Sequence, residues 1–189
     1  MPGIRNMLAA TVIGAFAAMA MPQASFAEDA VTVGGAPMYP SKTIVENAVN
    51  SKDHTTLVAA VKAAGLVDTL SSKGPFTVFA PTNDAFAKLP AGTVESLVKP
   101  ENKDKLTKIL TYHVVATNAL SDAVRKMVMD DGSKHAIKTV SGDTLTAMVK
   151  DGTITLEDES GQTATVTIAD VRQSNGVIHV IDTVLLPKS

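Results

Sequence analysis

Hydrophobic positions along this chain recur first with helical spacing and later in alternation, which predicts helices in the first half and strands in the last third. Ile44, Val45, Ala48 and Val49 share one helical face. Leu57, Val61 and Ala64 share another, which ends at Gly65, a residue suited to the left-handed position after a helix. Leu66, Val67 and Leu70 continue as a short helix that stops in the polar stretch 71–75. The pattern then changes. Residues 76–79 read as a compact strand bounded by Gly74-Pro75 and Pro81, and Thr82 or Asn83 is placed to cap a helix carrying Phe86 and Leu89. Residues 92–98 and 101–110 read as helices divided by Pro100. Residues 112–115 read as a second strand, and 121–129 as an amphipathic helix with Val124, Met127 and Val128 inward.

The last third predicts a meander. Leu145, Ala147 and Val149 alternate with Thr144, Thr146 and Met148 up to an Asp151-Gly152 turn, and Ile154 and Leu156 lie on the return strand. Ala164, Val166 and Ile168 alternate with Thr163, Thr165 and Thr167. Residues 176–186 are almost continuously apolar, which places them mid-sheet with both faces covered. Helices followed by strands give the α+β class.

The start of the chain is an address. Arg5 precedes an apolar run over 7–21, and Ser25-Phe26-Ala27 forms a signal-peptidase site, so residues 1–27 are expected to be removed and the mature chain to begin at Glu28. The apolar run falls short of the roughly 20 residues that span a bilayer, and no membrane span is expected in the mature chain. Residues 28–40, with Gly34, Gly35, Pro37 and Pro40, read as an extended leader into one domain over 41–189. The whole chain has a formal net charge of −2, and losing Arg5 makes it more acidic, which argues against nucleic acid as a partner. With 0 cysteines the exported domain has no disulfides to hold it, and with 0 tryptophans and 4% aromatics its core must be built from Val, Leu, Ile and Ala.

Three ordered segments resemble the fasciclin-domain family: TVFAPTNDAF over 77–86 followed by Leu89-Pro90, LTYHVV over 110–115, and NGVIHVIDTVLLP over 175–187. The resemblance runs from about Ile44 to Pro187 and points to a bacterial secreted single-domain member. It implies a single α+β domain, mostly antiparallel sheets in a wedge or sandwich with several short helices alongside. It also implies a secreted or surface location, periplasmic or extracellular, and adhesion to a cell-surface or matrix protein. An integrin-binding motif of animal members contains a Tyr-His pair, which falls on Tyr112 and His113. A second adhesion motif, with Asp followed by Ile, falls on Asp170 and Val171. Asn83 and Asp84, at the strand-to-helix turn, complete the candidate contact residues.

Catalytic chemistry finds little footing. There is no G-x-S-x-G elbow and no cysteine nucleophile. The histidines, His54, His113, His135 and His179, show no close metal-ligand spacing. Asp130-Asp131-Gly132 and Glu157-Asp158-Glu159 do not fit a calcium loop. No cofactor or metal is expected, and a monomeric, non-enzymatic adhesion domain is the favoured reading. A small-ligand carrier is the alternative, to be recognised by a concave apolar pocket.

Overall fold

The computed structural model describes residues 30–188, so the signal peptide and cleavage site expected at 1–27 lie outside the described residues. A hairpin comes first, β1 (Val31–Val33) and β2 (Ala36–Met38), turned by Gly34 and Gly35 at positive φ. Helices dominate next: α1 (Ile44–Ala48), α2 (Thr55–Ala64), α3 (Val67–Ser71), then β3 (Phe76–Pro81), α4 (Asn83–Ala87), α5 (Thr93–Leu97) and α6 (Lys103–Tyr112). After the short β4 (Val114–Val115) and α7 (Ser121–Asp130) come β5 (Lys134–Lys138), β6 (Thr144–Lys150), β7 (Thr153–Glu157), β8 (Thr163–Gln173) and β9 (Gly176–Ile181).

Seven strands form one sheet in the order β4-β3-β9-β8-β7-β6-β5. Every pairing is antiparallel except β3 with β9. The α+β class and the mostly antiparallel sheet agree with the sequence reading. As its apolar run predicts, β9 is central, and five of its six residues are buried. It ends earlier than expected, at Ile181, because Asp182 turns to accept the Thr165 N–H at 2.8 Å. The sheet also curls: just past β5, the Val140 N–H donates to the Val114 carbonyl at 2.8 Å and brings the two edges together.

Side-chain alternation on β3 and β9 divides the interior into two cores. Val78, Ala80, Ile178 and Val180 face one core, which α1, α2, α3, α4 and α6 cover with residues such as Ile44, Leu57, Leu70, Phe86 and Leu110. Phe79 and Ile181 face the other, between the meander and α7, where Leu145, Leu156, Val124 and Val128 pack. Period-2 geometry on two central strands thus serves both cores at once.

Three elements differ from the sequence reading. The segment read as an extended leader folds into β1 and β2, and Val33 and Met38 are each only 1% exposed in the first core. Tyr112 and His113 are not in a strand: the apolar spacing of Leu106, Ile109 and Leu110 continues α6 through Tyr112, with His113 as its C-cap and only Val114 and Val115 extended. Strand β5 went unpredicted because Ile137 is its only buried residue.

Candidate functional site

Asp170 stands in β8 within the second of two register shifts, between Ile168 and Val171, with φ 58, a left-handed conformation that Asp tolerates better than most side chains. The bulge aims its carboxylate at the start of α7. One oxygen accepts the Ser121 N–H at 2.7 Å, and the other accepts the Ser121 hydroxyl. Helix α7 has no cap from its own Leu120, so Asp170 satisfies one of its orphan N–H groups from 49 residues away and sets a negative charge at its N-terminus.

The backbone N–H of Asp170 donates to His179 Nδ1 at 3.2 Å, and His179 Nε2–H donates to the Ala119 carbonyl at 2.8 Å. Phe79 stacks on the imidazole at 5.6 Å between ring centroids. Buried Thr77 donates to the Thr117 carbonyl at 2.6 Å and accepts the Ala119 N–H at 2.8 Å. Three side chains from three strands of the sheet therefore fasten the segment that leads into α7.

Ser, His and Asp meet here without forming a hydrolytic triad. The Ser121 hydroxyl is given to Asp170, and both ring nitrogens of His179 are engaged by backbone groups, so the imidazole is not positioned to activate the serine as a triad requires.

The other candidate residues are mainly architectural. Asn83 accepts the Thr56 N–H at 3.0 Å and the Thr55 hydroxyl at 3.1 Å and donates to the Lys52 carbonyl at 2.8 Å, capping α2 rather than its own helix. Thr82 caps α4 through the Ala85 N–H. Asp84 is exposed in the first turn of α4. Val171 is enclosed in the first core. Tyr112 is fully buried, its hydroxyl donates to the Thr144 carbonyl at 2.9 Å, and burial pushes its pKa up to about 12. His113 is 2% exposed, and burial pushes its pKa down to about 4.

Among the described residues no group of three or more His, Cys, Asp or Glu is arranged to hold a metal. The acidic run at 157–159 has a structural use: Asp158 accepts the Ser160 and Gln162 N–H groups, each at 2.9 Å, and the Leu186 N–H at 3.0 Å. No described helix is long and apolar enough to cross a membrane. The apolar cleft between α1, α2 and β3 holds a cavity of only about 40 Å³, room for a water but not for an organic ligand.

The fasciclin domain model matches residues 52–187, nearly all of the described chain. The chain belongs to the fasciclin domain family. That family includes adhesion-related proteins and is generally non-enzymatic. Among the relatives of this fasciclin domain is Protein sll1483 of Synechocystis, 52% identical over 89% of this chain and 87% of that protein. The transforming growth factor-beta-induced protein ig-h3 of Sus scrofa is 36% identical over 78% of the chain, which spans only 20% of that longer protein. In architecture the domain is similar to the FAS1 domain pair of the insect cell adhesion molecule Fasciclin I. The TM-score is 0.69 at 20% identity, covering 78% of this chain and 52% of the pair.

Tyr112, His113 and Val171 thus fall inside the domain, while Asp170, Asn83 and Asp84 reach its surface in part or fully. Sequence reasoning missed Ser121, Thr77 and His179 as partners of the Asp170 region. Ser121 opens an amphipathic helix, which is a local signal, but a partner 49 residues away leaves no pattern in the sequence.

Proposed function

We propose that this fasciclin domain is exported and works by adhering to a protein of a cell surface or extracellular matrix, with no catalysis of its own. The observation that carries this reading is the closed interior: the large apolar space between the helices and the sheet is filled, leaving about 40 Å³, so recognition is left to the outside. The similarity to a cell adhesion molecule supports it. So does the Asp170 region, where a bulge, a clamped helix N-terminus and buried hydrogen bonds make a rigid platform. Rigid platforms bind with less ordering cost. Export to the periplasm or beyond is supported by the leader pattern over 1–27.

One feature favours the carrier reading. A surface groove of about 490 Å³ between α6 and residues 186–188 is of ligand size and is lined by Lys105, Lys108 and Lys188 over Ile109, Leu186 and Pro187. Native mass spectrometry of the exported protein, alongside capture experiments with surface extracts, separates the two. Adhesion predicts a bare protein mass and a retained surface protein. A stoichiometric small adduct with no retained protein would favour the carrier.

A further inference from the structure

Beside the platform lies a second, smaller cleft of about 220 Å³, lined by Arg125 of α7, Thr153 and Ile154 of β7, and Val166, Thr167 and Ala169 of β8. Its cation is held loosely. Arg125 Nη2 donates to the Gly152 carbonyl at 3.2 Å, and Nη1 lies 3.5 Å from an Asp122 carboxylate whose side chain is 95% exposed. An ion pair that open to water contributes little, and the two contacts use two of the five guanidinium N–H donors.

We propose that this cleft is a recognition pocket for a single glutamate side chain of a partner protein, its carboxylate received by Arg125. Size comes first: about 220 Å³ is below the 300–1,000 Å³ of typical small-molecule sites but suits one inserted side chain. Chemistry comes next, because the guanidinium matches a planar carboxylate in bidentate fashion, while Ile154 and Val166 are almost wholly covered by their own core and leave little apolar wall, so the carboxylate carries the fit. The surroundings leave the role open to a visitor, since the nearby Asp170 carboxylate is committed to Ser121 and Asp122 is a solvated competitor. Arginines seated in pockets are the kind of residue that dominates protein interfaces.

The proposal deepens the adhesion reading and gives Asp170 a definite part in it. By fastening Ser121, Asp170 fixes the first turn of α7, and Arg125 projects from the next turn. Asp170 is then a positioning residue, and Arg125 the contact.

The test is nitrogen-edited NMR of the folded domain, following the Arg125 Nε–H resonance, which is assigned by its loss in Arg125→Lys. The probes are N-acetyl-glutamate methylamide, its glutamine counterpart and galacturonate. A saturable shift with the glutamate probe, at about 10 mM as one exposed charge-assisted contact allows, is expected with at most a small shift for glutamine. The Thr153 and Thr167 amides should move with it and stay still in Arg125→Lys. Asp122→Asn should tighten the glutamate probe by about two- to threefold, as removal of a weak competitor predicts. No movement at Arg125, equal movement with glutamine, or a stronger response to galacturonate would overturn the proposal. Failure of surface adhesion with this response intact would instead count against the adhesion reading alone.

Discussion

His113 pins the C-terminal segment to the end of α6: its Nε2 accepts the Leu185 N–H at 3.1 Å while Nδ1–H donates to the Ile109 carbonyl at 2.8 Å. Leu185 can only donate, so the folded state uses the neutral ring with its proton on Nδ1. His179 uses the opposite tautomer, with Nδ1 accepting from Asp170 and Nε2–H given to Ala119. Charging either ring places two N–H groups face to face at a buried contact.

Stability should therefore fall on acidification. Burial lowers the pKa of His113 to about 4 and also lowers those of His179 and His54, all below the unfolded value. The unfolded chain binds more protons, so the full contribution is present above about pH 6.5 and is lost as pH falls towards 4. From His113 alone the loss is about 3 kcal/mol. Urea unfolding at a series of pH values measures it, and a flat profile between pH 7 and pH 4.5 would contradict the tautomer assignment.

Asp170→Ala should cost about 1–3 kcal/mol, because it leaves the Ser121 N–H and hydroxyl without their acceptor and puts a less tolerant residue at φ 58. Asp170→Asn should lose less, since Asn keeps both the acceptor and the tolerance of left-handed backbone. Thermal melts of the two variants decide it. A cost below about 0.5 kcal/mol for Ala would return Asp170 to the class of simple surface residues.

Local physics determines only part of this fold. Periodicity locates α2, α7, β6 and β7, since each buries a face at a regular spacing, and an unbroken apolar run locates β9. The resemblance marks Asp170 as a contact residue, and no periodicity reveals the bulge that turns its carboxylate towards Ser121. The β-type composition of residues 112–115 likewise predicts strand at Tyr112, where the last turn of α6 instead carries its hydroxyl across to Thr144. Arg125 carried no signal at all; only the packing of α7 beside the β6–β7 turn creates its cleft.

Long-range capping by Asn83 gives a further check. Asn83→Ala should cost about 1–2 kcal/mol through the freed Thr56 N–H at the start of α2, whereas Phe86→Ala, in the first core, should cost about 3–5 kcal/mol. Chemical denaturation ranks them. Equal losses would mean that α2 does not depend on its distant cap.

Export is checked at the level of mass. Protein recovered from outside the cytoplasm should begin at Glu28, the residue after the Ser25-Phe26-Ala27 site. An intact mass retaining residues 7–21 would show an uncleaved apolar leader.

The most direct measurement of the central claim is bead adhesion. Beads coated with residues 28–189 are applied to cells of the encoding organism and to their shed matrix, against beads bearing an unrelated exported domain of similar charge. Bound beads are counted after washing. Adhesion predicts several-fold retention over the control, reduced in Arg125→Gln while the melting temperature stays within the small range of surface substitutions. Retention no higher than the control on both surfaces would contradict the assignment of this domain to adhesion.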